Sequence, residues 1–90
     1  MYFEMQIEEI FGFNDGQTVF SGKVLLGPLF IKKCRCDLYS NDVKVETFDL
    51  EGEMMPLRKG RLEARSVSTF HPFSKKELRK LTNLKLISHL

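Results

Sequence analysis

Tryptophan is absent from this chain, cysteine occurs twice and proline three times. Without Trp and with only two Tyr, the eight Phe are the large residues from which a core has to be built. Cys34 and Cys36 sit two positions apart. On a strand they share a face as near neighbours, where closing a disulfide strains the backbone, so both read as free thiols. That fits a reducing compartment, and a cytoplasmic location is the expectation. No apolar run is long enough to cross a bilayer, and Glu4, Glu8 and Glu9 interrupt any leader-like stretch, so neither a membrane partner nor a targeting segment is expected. The absence of a G-x-x-x-x-G-K-[ST] loop excludes a P-loop nucleotide site, and no cofactor is expected.

What is present is enough apolar material for one core. Ninety residues, 42% of them hydrophobic, make a single domain over 1–90 with no room for a second. The net charge of +2 is too small to mark a nucleic-acid protein by itself. Its distribution is uneven: residues 1–53 carry ten acidic and five basic side chains, residues 54–90 two acidic and nine basic. Such asymmetry hints at a bipolar surface unless folding interleaves the halves.

The chain opens with a hairpin. Phe3, Met5 and Ile7 alternate with Glu4, Gln6 and Glu8, the period of a half-buried strand. Glu8-Glu9 breaks the alternation, predicting a β-bulge or a sharp twist, after which Phe11 and Phe13 are expected to resume the apolar face. Asn14-Asp15-Gly16 supplies a turn, and a second strand runs from Thr18 to Leu26, stopped by Gly27-Pro28. A third strand, beginning near Lys33, has Phe30, Cys34, Cys36 and Leu38 on its core face. Ser40-Asn41-Asp42 is a turn, and the strand from Val43 has no cleanly apolar face before it enters an irregular loop over residues 49–59. Another strand is expected from Leu62 to Phe70, ended by His71-Pro72. Ser74 and Glu77 have capping-box spacing, predicting a short helical turn from Lys75 to about Leu81 anchored by Leu78. Asn83 can end it in the left-handed region, and Leu84, Leu86 and Ser88 face one side of a last strand. The fold class expected is all-β: a six- or seven-stranded, closed or partly closed antiparallel barrel with one short helical turn near the C-terminus.

Two motifs carry a resemblance. Phe3-Glu4-Met5-Gln6-Ile7-Glu8-Glu9-Ile10-Phe11 resembles the strand that opens the second domain of translational GTPases such as elongation factor Tu. Thr18-Val19-Phe20-Ser21-Gly22-Lys23-Val24 is similar to that family's Thr-Val-x-Thr-Gly-Arg-Val segment, in which the glycine marks close backbone approach at a barrel corner. Gly60 to Ala64 and Ser74 to Ile87 follow the family's pattern of later strands, with Lys32-Lys33 where it usually has Gly-Asp. The resemblance covers nearly the whole chain, closely in its first third and by pattern beyond. It implies the barrel without the GTPase domain, a non-enzymatic platform that contacts transfer RNA or ribosomal RNA.

Candidate chemistry is sparse. Cys34 and Cys36 with His71 or His89 lack the two-residue spacer usual between zinc-binding cysteines, so no metal site is expected and the thiols read as structural. Glu8 and Glu9 fall on opposite faces of a regular strand and make no acid–base pair. The strongest feature is basic: Arg58, Lys59, Arg61 and Arg65, then Lys75, Lys76, Arg79 and Lys80, with Phe70, His71 and Phe73 nearby as stacking partners. Cations spaced along phosphates with exposed aromatics suit RNA. The alternative is that they form the wet face of a strand and helix while the Phe residues fill the core. The expected function is therefore a binding module for RNA or the translation machinery, with a protein-interaction adaptor using an acidic face or strand edge as the competing reading.

Overall fold

Residues 2–13, 15–54 and 64–89 are described by a computed structural model. The strands are β1 (Glu4–Gly12), β2 (Thr18–Leu26), β3 (Cys34–Ser40), β4 (Val43–Leu50), β5 (Gly52–Glu53), β6 (Arg65–Thr69) and β7 (Leu84–Ser88), with one helical turn, α1 (Lys75–Leu78), between the last two. They form one antiparallel sheet in the order β4-β3-β7-β1-β2-β6-β5, curled into a half-barrel. The strands at its two margins, β4 and β5, are separated in the chain by Glu51 alone. That connection draws the margins together: the Glu51 amide donates to the Ser68 carbonyl at 2.8 Å and the Thr69 hydroxyl to the Asp49 carbonyl at 2.6 Å.

The inward faces of the strands supply the core. Phe3 and Met5 from β1 and its approach, Phe20, Cys36, Leu38, Phe48, Leu50, Val67 and Leu86 are all buried in one cluster, as the alternation predicted for the first and last strands. Phe73 closes it from outside the sheet, edge-on to Phe48 at 4.8 Å and to Phe20 at 5.8 Å between ring centroids. Half of the expected capping box forms: the Ser74 hydroxyl accepts from the Glu77 amide at 3.3 Å, while the Glu77 carboxylate lies 3.8 Å from the Lys80 ammonium. The helix spans four residues and stops short of Leu81, yet Leu78 is buried and Leu81 packs on the cluster, so tertiary contact holds a turn too short to persist alone. Asn41, Asp42 and Asn83 take the left-handed backbone that their turn positions require.

Three expectations are corrected. The bulge lies at Glu8, between the pairs Ile7 with Gly22 and Glu9 with Ser21, but one extra residue moves the inward set from odd to even positions. Ile10 packs on the core, therefore, while Phe11 and Phe13 stand outward, each 45% exposed. β3 begins at Cys34, as expected from a start near Lys33, but in the loop before it Ile31 takes the buried place expected for Phe30, which is exposed. Within the span expected to be irregular, Gly52 and Glu53 form β5 against Ser68 and Val67. Asn14 and Leu62 lie outside the described residues.

Free strand edges are blunted. Among the described residues, β1 beyond Gln6 pairs only with β2, and this stretch carries the Glu8 bulge and Glu9. The outer edge of β4 has a register shift opposite Leu38 and Tyr39, beside Lys44. Bulges and charges at such places oppose the addition of another strand, which weighs against the edge-pairing adaptor.

Candidate nucleic-acid interface

Registers place one end of the sheet in detail. Gly12 pairs with Thr18, and Thr18 with Thr69, so the ends of β1 and β6 flank the start of β2. Phe13 and Phe70 are the next residues along their strands, and Phe70 is 54% exposed. With about 4.8 Å between neighbouring strands, their backbones are roughly 10 Å apart across Gln17. Phe11, on the same outward side as Phe13, extends the set into three exposed rings at one end of the barrel.

The helical turn brings cations to this end. The Lys75 side chain lies over the Gly12 backbone, in the space that a β-carbon there would occupy. Lys76, Arg79 and Lys80 are exposed. The Lys80 ammonium is 3.8 Å from the Glu77 carboxylate, an open pair that is readily exchanged for another anion. His71 sits half-buried between rings, its centroid 4.6 Å from that of Phe73 and 5.7 Å from that of Phe48, with Nε2 3.8 Å from Glu46.

Other members of the basic set go elsewhere. Arg65 starts β6, toward the opposite end, and its guanidinium is bonded internally: Nε to Glu53 at 2.8 Å, Nη2 to Glu53 at 2.6 Å and to the Pro28 carbonyl at 3.0 Å. Phe73 is half-buried and packs against the core, its ring roughly perpendicular to those of Phe48 and Phe20. Arg58, Lys59 and Arg61 lie outside the described residues. The structure thus gathers Lys75, Lys76, Arg79 and Lys80 with His71 and separates Arg65 from them.

A second polar cluster escaped the sequence reading. Asp37, buried on β3, accepts hydrogen bonds from the Thr47 hydroxyl and from Nδ1 of His89 at 3.0 Å, with Lys44 at 3.8 Å. Burial pushes its carboxyl up, but the Thr47 and His89 bonds and the charges of His89 and Lys44 prevail and hold it below the usual range. Fifty-two positions separate Asp37 from His89, so no local spacing signals the pair. The thiols are not its partners, because Cys34 and Cys36 alternate with Asp37 along β3 and face the other way.

Both thiols are free, Cys36 fully buried and Cys34 half-buried, and burial raises both above an ordinary thiol. A thiol-specific disulfide reagent should therefore modify Cys34 slowly and reach Cys36 only on unfolding; two fast native equivalents would overturn this placement. Among the described residues no three His, Cys, Asp or Glu side chains are grouped to hold a metal ion, and no helix is long and apolar enough to cross a membrane. No protein-family model, curated protein or solved structure matches this chain.

Proposed function

We propose that this protein is a non-enzymatic binding module that engages RNA through the α1 end of its half-barrel. The observation that carries the reading is the placement of Lys75, Lys76, Arg79 and Lys80 at the end of the sheet where Phe11, Phe13 and Phe70 are exposed. Cations neutralise phosphates without regard to sequence, and exposed rings offer faces to unpaired bases. The resemblance to the second domain of translational GTPases supports transfer RNA or ribosomal RNA as the class to test first.

Titrating labelled transfer RNA and a short single strand at several salt concentrations tests this. Three or four neutralised phosphates give a log–log salt slope of about −2 to −3 on a single strand. Replacing Lys75, Lys76, Arg79 and Lys80 together with Gln should flatten that slope. Phe13→Ala with Phe70→Ala should weaken binding and leave the slope alone, since neither ring carries charge. No binding of either RNA at low salt would remove the reading.

A further inference from the structure

We propose that the loop between β2 and β3 seats this protein on anionic membrane surfaces, with Leu26, Leu29 and Phe30 entering the lipid and lysines behind them meeting the headgroups. The loop stands at the opposite end of β2 from the aromatic–basic surface. Nine strand residues separate the two, roughly 30 Å of the molecule's 32 Å longest dimension. Both surfaces can therefore be occupied at once, and this inference does not depend on the RNA reading.

The loop is apolar, exposed and held rigid. Leu26 is 56% exposed, Phe30 45% and Leu29 99%. A leucine so fully in water is not unusual on a frayed segment, but this one is fixed on both sides. The Pro28 carbonyl accepts from Arg65, the Ile31 amide donates to Glu53 at 2.9 Å, and the Ile31 side chain is buried in the core. Gly27 has φ +148°, and a side chain there would run into Phe3. The exposed leucine is thus held out in place, and little ordering entropy is lost when a medium covers it.

Charge decides which medium. Between Asp15 and Asp37 the sequence has no acidic residue, whereas it has Lys23, Lys32, Lys33 and Arg35. In the fold, Lys23 pairs with Gln6 and Gln6 with Lys85, so Lys23 and Lys85 stand two strands apart in a row that starts behind Leu26 and continues through Tyr39 to Lys44, which is paired with Asp37. Lys23, Lys32 and Lys85 have no ion-pair partner among the described residues. Of the nearby acids Glu51 pairs with Lys33 and Glu53 with Arg65, whereas Glu4, opposite Leu26 and bonded to the neutral Tyr2 hydroxyl, keeps its charge, and Asp42 is exposed beyond Leu25. An apolar tip backed by lysines complements the acyl boundary below anionic headgroups. The sequence suggested no membrane partner because the eight residues from Val24 to Ile31, six of them apolar, are too few to span a bilayer; lying in its surface needs no span.

The absence of tryptophan makes the test direct. In Leu29→Trp, at a position that packs on nothing, emission reports this one site. Vesicles of equimolar phosphatidylcholine and phosphatidylserine should shift it to the blue, with protein sedimenting alongside them. Binding to phosphatidylcholine alone should be weaker by about tenfold or more, because each lysine near an anionic surface contributes separately. Leu29→Asp should abolish sedimentation with vesicles while melting as the parent does, and Lys23→Ser with Lys32→Ser should reduce it. Absence of shift and sedimentation with either vesicle overturns the proposal, as does equal binding to both. A blue shift without lipid that grows with protein concentration would assign the loop to a second copy of the chain and equally overturn it.

Discussion

Replacing Gly22 with alanine should destabilise the protein by about 2–3 kcal/mol, and with valine by more, despite valine's preference for strands. Gly22 lies on β2 opposite Ile7 and beside Arg65 of β6, at the point where β1 bulges. A β-carbon there would overlap the Gln6 carbonyl oxygen and lie 3.0 Å from the Glu8 amide nitrogen. Backbone is what it meets, and backbone held in a ladder on both sides cannot step aside as a side-chain tip can. Gly22 has no left-handed φ, so space alone demands glycine here. Gly12 is the natural control. Its missing side chain is replaced by the flexible end of Lys75, so Gly12→Ala should displace that lysine and leave the urea midpoint nearly unchanged. A neutral Gly22→Ala would show that β1 can shift away from β2, and that the bulge does not fix their approach.

Local patterns made much of this fold legible. The alternation of β1 and β7, the Glu8 bulge, the turn at Asn41-Asp42, the Ser74 N-cap and the role of Gly22 are each written within a few residues. Where reading failed, the deciding contact came from far along the chain. A bulge was visible at Glu8-Glu9, but which side Phe11 and Phe13 then faced depended on the pairing of Ile10 with Phe20. Phe30 and Ile31 could exchange places on sequence alone, and Ile31 points inward because Glu53 holds its amide from 22 positions away. The basic set shows the same limit. Charge counting assigned Arg65 to one surface with Lys75, and nothing local said that Glu53 and Pro28 would claim its guanidinium.

That claim is the basis of the second large effect. Arg65→Met should lower stability by about 3 kcal/mol, the low end for breaking an ion pair largely removed from water. The side chains of Arg65 and Glu53 are 22% and 9% exposed, and three hydrogen bonds from Arg65 join β6, β5 and the β2–β3 loop. Removing the guanidinium leaves the Glu53 carboxylate with only the Ile31 amide and frees the Pro28 carbonyl from its donor. Changing Glu53 to leucine in the same molecule should recover part of the loss, since the uncompensated charge then goes too. The pair also sets a pH dependence. Burial pushes the Glu53 carboxyl up, but hydrogen bonds from Arg65 and the Ile31 amide, with the Arg65 charge, prevail and hold it below the usual range. A group depressed in the folded state contributes stability in full above its unfolded pKa, about 4.3, and that contribution is lost as pH falls through the lower folded value. Urea midpoints measured from pH 7 downward should therefore decline through this window in the parent. Glu53→Gln removes that share of the decline, leaving the share from Asp37, whose carboxyl is depressed in the same direction. If Arg65→Met changes the midpoint by no more than an exposed arginine would, or if Glu53→Gln leaves the acid limb unaltered, the guanidinium is not what pins the loop between β2 and β3.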